Sequence, residues 1–164
     1  MFGKTSLSIA PNDLFNQMRR RNIRNTKKSH YNCGGFALGT FSWYCPNEES
    51  VDSRKYYWGK TEAEISENTL YAVETMLADF KGRLRLICDV AEVNLQTEYA
   101  IAFRIDPKTG DFHFVRRGCR GHWYHKRGQL SEIEQMDELE VFCDDWVFDS
   151  CHYNGPLVLF AMSR

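Results

Sequence analysis

The sequence predicts an α+β domain in which a short cysteine-bearing helix packs on an antiparallel β-meander flanked by further helices. Three observations carry this prediction. Asn32-Cys33-Gly34-Gly35-Phe36-Ala37-Leu38 starts with a favoured N-cap residue and runs on into apolar bulk at Phe41, Trp43 and Tyr44, as a helix entering a core does. Thr61-Glu62-Ala63-Glu64 is a capping box ahead of a helical stripe. From residue 83 onward apolar residues recur with period two in segments cut by turn-forming residues. The 164 residues, 43% of them hydrophobic, suffice for one proper core, so a single domain spanning 1–164 is expected.

In chain order, residues 1–11 show little periodicity and read as a loose arm or an edge strand. Asn12 caps a helix of about two turns with Leu14, Phe15 and Met18 on one face. Arg19, Arg20, Arg21, Arg24, Lys27 and Lys28 form the one concentrated charge run, 19–28; it is either a solvated loop or a site for an anionic partner such as nucleic acid or another polyanion. Pro46 ends the cysteine-bearing segment. Tyr56, Tyr57 and Trp58 are either a wall of a binding groove or packing against the core. The capping box at Thr61 opens a helix to about Phe80, with Ala72, Val73, Met76, Leu77 and Phe80 as its core stripe.

Strands follow. Leu84, Leu86 and Cys88 alternate with Arg83, Arg85 and Ile87, and Tyr99, Ile101, Phe103 and Ile105 alternate again. Asp106-Pro107-Lys108-Thr109-Gly110-Asp111 is a turn by composition, so Phe112–Arg117 is expected antiparallel to Tyr99–Ile105. Gly118-Cys119-Arg120-Gly121 is a second turn leading into His122–Lys126, and the three strands form a meander at the centre of the sheet. Ser131-Glu132-Ile133-Glu134 reads as a second capping box, opening an acidic helix to around Phe142, and Pro156–Met162 as a last strand.

Composition excludes some functions. Twenty-one basic and 22 acidic side chains leave a net charge of −1, with no global field toward nucleic acid or anionic membrane. Six cysteines form no Cys-x2-Cys pair, and Cys151-His152 begins eight positions after Cys143, a poor spacing for zinc, so no metal or cofactor is expected. No secretory leader and no apolar run near the roughly 20 residues that span a bilayer are present, so a cytoplasmic, soluble protein with free thiols and no membrane partner is expected.

A thiol at the first turn of a helix meets unpaired N–H groups and the positive end of the helix dipole, which favour thiolate; Cys33 is therefore expected to be exposed and reactive. Gly34 and Gly35 point to close approach by another segment or a substrate. A cysteine nucleophile needs a base within hydrogen-bond reach and a third group to hold that base. His30 is local to Cys33, His152 sits in a turn-like stretch, and the meander holds His113, His122 and His125. If residues 119–121 form a three-residue loop with Gly121 left-handed, Val115 faces His125 and His113 becomes the same-face diagonal neighbour of His125, at roughly 7–8 Å or less. A two-residue loop reverses the parity and separates them.

This pattern of Asn-Cys at a helix start, then His113 and His125 on successive strands, resembles the papain-like fold in its NlpC/P60-type form. Asn32–Leu38 with Asp111–Arg116 and His122–Gly128 looks like a group of uncharacterised bacterial and phage proteins built on that plan. The resemblance implies a thiol hydrolase, a peptidase, amidase or acyl transferase, working through an acyl-enzyme on a peptide or amide-containing substrate. It implies Cys33 as nucleophile, His113 as general base, His125 as its orienting partner, and the Cys33 N–H, at the Asn32 cap, as part of an oxyanion hole. Tyr57, Trp58 and Trp123 are the candidate substrate-binding aromatics. The Asp-Cys-Ser run of peptidoglycan-cleaving members is replaced by Asn32-Cys33-Gly34, and no obvious oxyanion-hole glutamine precedes the cysteine. The alternative is a non-catalytic binding or inhibitor module of the same fold, phage-encoded in one reading, that engages an anionic partner through 19–28.

Overall fold

Residues 31–46, 58–118, 120–128 and 131–164 are described by the computed structural model. The readings made for 1–11, the helix after Asn12, the basic segment 19–28, His30 and Tyr57 fall outside them. The elements are α1 (Cys33–Ala37), α2 (Glu62–Asp79), β1 (Leu84–Ile87), a 3-10 turn (Val90–Glu92), β2 (Glu98–Asp106), β3 (Asp111–Arg117), β4 (Trp123–Lys126), β5 (Ile133–Met136), α3 (Glu138–Val141), β6 (Trp146–Phe148), β7 (Cys151–Tyr153) and β8 (Val158–Ser163). The chain is an α+β fold: an antiparallel sheet in the order β1-β8-β2-β3-β4-β5, and a separate β6–β7 hairpin.

Each helix starts where its cap chemistry allows. Asn32 accepts from the Gly35 N–H, and Thr61 with Glu64 forms the reciprocal capping box of α2. Asn32 does more than cap. Its Oδ1 also accepts from the Tyr44 N–H at 3.1 Å and its Nδ2 donates to the Tyr44 carbonyl at 2.7 Å, clipping the returning chain onto α1. The glycines after Cys33 serve that return: a Cβ on Gly35 would lie 1.8 Å from the Ser42 carbonyl oxygen, and one on Gly34 2.8 Å from that of Tyr44. The close approach expected at these glycines is made by residues 42–44.

Strand alternation divides the core in two. Ile101, Phe103, Ile105, Phe112 and Phe114 face α1 and α2 in one cluster that includes Cys33. Ala100, Ala102, Val115 and Trp123 face the other way, under Val141, Trp146 and Tyr153. Both faces being covered explains why β2 and β3 are buried nearly throughout.

Several sequence expectations change. The meander β2-β3-β4 lies inside the sheet as expected, but it is extended on both sides: β5 continues it to one edge, and the C-terminal strand β8 inserts between β2 and the other edge strand β1. The acidic helix expected from Ser131 is instead strand β5, paired with β4, and the capping box belongs to Asp137 and Glu140, heading the four-residue α3. Backbone pairing along β4 outweighs the local cap signal, and the strand buries Ile133 on one face and Met136 on the other. In β1 Leu84 and Ile87 are buried while Leu86 is half exposed, because a strand of four residues meets both clusters. The β6–β7 hairpin has no counterpart in the expectations.

Gly35→Ala is expected to lower stability by at least about 3 kcal/mol, or roughly 6–12 °C in Tm, because backbone rather than a flexible side chain blocks the methyl group. Gly82→Ala, at φ 78 with nothing within 4 Å of the added Cβ, should cost only about 1 kcal/mol. Thermal melts of both variants check the contrast; equal losses would mean that the Ser42 approach is not a constraint.

Candidate functional site: an imidazole pair under a hairpin

The geometry of the site begins at the β3–β4 turn. Gly118 N–H donates to the His122 carbonyl, Gly121 has φ 85, and the strands pair Val115↔His125. This is the three-residue loop with a left-handed glycine, and it sets the parity that places both histidines on one face. His113 Nε2 and His125 Nδ1 lie 2.9 Å apart, with the rings edge to face. One proton occupies this contact, since one nitrogen must donate and the other accept.

The pair is deeply covered: His113 is 2% and His125 3% exposed. Phe148 packs on both rings, and Tyr153 and Trp146 on His113. The β6–β7 hairpin carrying these aromatics is fastened to the sheet by polar anchors. Buried Arg104, paired with His113 across the sheet, donates to the carbonyls of Cys143, Asp144 and Gly155 and stacks on Trp146. Asp106 accepts from the His152 N–H, and Tyr153 Oη donates to Asp111 at 2.8 Å.

Burial, with His125 and Arg127 nearby, pushes the pKa of His113 well below its ordinary value. Burial also lowers His125 to about 4, Arg127 adding to the effect and Glu134 opposing it. Both rings are therefore neutral at physiological pH. The Glu134 carboxylate, 3.8 Å from His125 Nε2 and itself held by Arg127 at 2.7 Å, favours the tautomer with the proton on that nitrogen. His113 Nε2 then donates to His125 Nδ1, and His125 presents an N–H outward. Outward lies a cleft of about 360 Å³ whose lining includes His125, Glu134, Glu140, Asp145, Trp146 and Phe148. Asp145 is hydrogen-bonded to the His152 ring, Oδ2 to Nδ1, at 2.7 Å.

Cys33 stands apart from this pair. It packs in the cluster with Phe112 and Phe114, whereas His113, between them in β3, projects from the opposite face. Its thiol donates weakly to the Phe112 carbonyl at 3.9 Å. Burial, reinforced by the Asp111 charge, pushes its pKa up to about 12, so the expected exposed thiolate is not what the fold presents. The helix dipole of a five-residue helix does not offset that desolvation. The sheet brings His113 and His125 together, while the Cys33 thiol is directed to the Phe112 carbonyl.

The remaining candidates separate in the same way. Asn32 is a cap and a clip. Trp123 is fully buried, against Phe142, and is no ligand contact. Trp58 is 52% exposed, its carbonyl accepting from Asn68. His122 is exposed beside Gln135. Sequence reading missed the cleft because its far wall is the β6–β7 hairpin; the signal available was the aromatic and acidic density of Asp144-Asp145-Trp146-Val147-Phe148.

No protein-family model matches the chain, and no match is found among curated proteins or solved structures. No helix among the described residues is long and apolar enough to cross a membrane.

Unfolded, both histidines titrate near 6.5. The unfolded chain thus binds more protons than the folded one between about pH 6.5 and pH 4, so the stability contributed by the neutral pair is complete above pH 6.5 and is lost as pH falls through that window. For His125 the loss by pH 4 is on the order of 3 kcal/mol. Denaturation midpoints measured from pH 7 to 4 are expected to fall more steeply for the wild type than for a His113→Phe/His125→Leu double variant. Parallel curves would show that the pair is not held neutral.

Proposed function

We propose that the chain is a non-catalytic binding module that shares the helix-on-meander layout of the papain-like fold and takes its ligand in the cleft over His125. The observation that carries this reading is the burial of the Cys33 thiol in the apolar cluster of Phe112 and Phe114, where its hydrogen bond goes to the Phe112 carbonyl rather than to an imidazole. Acyl transfer by Cys33 needs the base within about 3 Å of the sulfur, and His113 faces away from it.

The cleft supports a ligand of definite character. Its floor is a nearly buried imidazole with one N–H to offer, one wall is formed by Phe148 backed by the buried Trp146, and Glu140 and Asp145 supply negative charge beside a Glu134 already paired with Arg127. A peptide segment with a lysine or arginine side chain meets all three demands: the aliphatic stem and cation against the aromatic wall, the charge toward the carboxylates, a carbonyl to accept from His125. The basic segment 19–28, opposite in charge to the cleft, is a separate proposal for an anionic partner.

Two measurements test the reading. A peptide bearing a chloromethyl ketone should leave Cys33 unmodified in the native protein at pH 7, while iodoacetamide labels the exposed Cys88 and Cys143 first. Titration with a short lysine- and arginine-containing peptide should shift the Trp146 indole and His125 ring resonances, and Glu134→Gln with Asp145→Asn should weaken that binding about tenfold or more. Stoichiometric labelling of Cys33 that His113→Ala abolishes would restore the thiol hydrolase.

A further inference from the structure

The helix-bearing face of the sheet carries a second polar cluster, remote from the cleft. Arg116 is only 6% exposed, and its guanidinium lies flat on the Tyr99 ring, 3.6 Å from the centroid. Among the described residues the guanidinium makes no hydrogen bond and no ion pair. The Tyr99 hydroxyl, on a side chain 4% exposed, has no hydrogen-bond partner either. A largely desolvated arginine is ordinarily matched by a carboxylate, because an uncompensated charge at that depth is costly.

The charges around Arg116 make the imbalance greater. The ionisable groups acting on it are Tyr99 and Arg164, and those acting on the Tyr99 hydroxyl are Arg116, Arg83 and Arg164. Arg164 is 6.0 Å from the Tyr99 ring centroid. Arg116 and Arg164 thus flank the Tyr99 ring, Arg83 adds positive charge from nearby, and no carboxylate is among the groups acting on the pair. The two inner donors also converge: a Cβ built on Gly39, which has φ 70, would lie 3.4 Å from Tyr99 Oη and 3.5 Å from Arg116 Nη1. Neither atom is among the fully enclosed unpartnered ones, so both keep a path to solvent.

We propose that Arg116 and Tyr99, beside the Gly39 turn and rimmed by Arg83 and Arg164, bind a phosphate group. The stack on Tyr99 fixes the guanidinium plane and leaves its N–H edge for a planar, two-point contact with phosphate oxygens, and the hydroxyl donates to a third. A site with donors only and three positive charges suits a dianion better than a carboxylate. It lies on the opposite sheet face from the cleft and stands whether or not the binding-module reading holds.

The test uses the full chain. Thermal shift and titration calorimetry with sodium phosphate, against sodium acetate and sodium chloride at matched ionic strength, should show stabilisation specific to phosphate. Arg116→Met should lower phosphate affinity about tenfold or more, and Tyr99→Phe about threefold to fivefold. Without phosphate Arg116→Met should melt no lower than the wild type, since it removes an uncompensated charge. If Arg116→Met fails to fold, Tyr99→Phe and Arg164→Gln, which leave the stack in place, carry the same test, each with a severalfold loss. Phenyl phosphate binding as well as inorganic phosphate assigns the site to small phosphates or monoesters; a short oligonucleotide binding more tightly, and losing that advantage in Tyr99→Phe, assigns it to a nucleic-acid backbone. Equal responses to phosphate and acetate, or phosphate affinity unchanged in the variants, would overturn the proposal.

Discussion

The turn from Gly118 to His122 decides more of this structure than its length suggests. Because side chains alternate along a strand, a loop of three residues rather than two determines which residues of β4 share a face with which of β3. Gly121 accepts the left-handed conformation that closes the loop at that length. From this follow the contact between His113 and His125, the face they occupy, and the strand β5 that continues the pairing with Glu134 opposite His125. The same parity sends Phe112 and Phe114 toward Cys33 and His113 away from it.

The covered imidazole pair depends on the polar work done around it. Arg104 reaches through the apolar layer to three carbonyls of the connecting segments, and Asp106 holds its own turn while reaching the hairpin at His152. These contacts satisfy backbone groups that the short strands β6 and β7 leave without ladder partners, so a hairpin of six paired residues can cover the sheet. The pair itself needs no counter-charge because neither ring is protonated.

The parts of the fold legible in the sequence are those governed by local chemistry. Asn32 and the Thr61 box announce their helices, and Gly121 announces its turn, because a cap or a positive φ restricts the residue that can stand there. The face on which α1 packs is not encoded locally. In Phe112-His113-Phe114-Val115 both faces are apolar enough to be buried, so period two gives the parity without saying which side the cysteine-bearing helix takes. Strand β5 was hidden by Ser131 and Glu134, which mimic a cap, and β6 and β7 are too short for any period to register. Arg116 and Tyr99 sit on different strands, and only the β2–β3 register brings them together.

A sheet buried on both sides also acts as a partition. The cluster beneath α1 and α2 and the cluster beneath the β6–β7 hairpin share backbone but few side chains. A substitution in β6, β7 or the loops that join them changes the side chains over His113 and His125 without entering the cluster beneath α1 and α2, so damage on one side of the partition need not spread to the other.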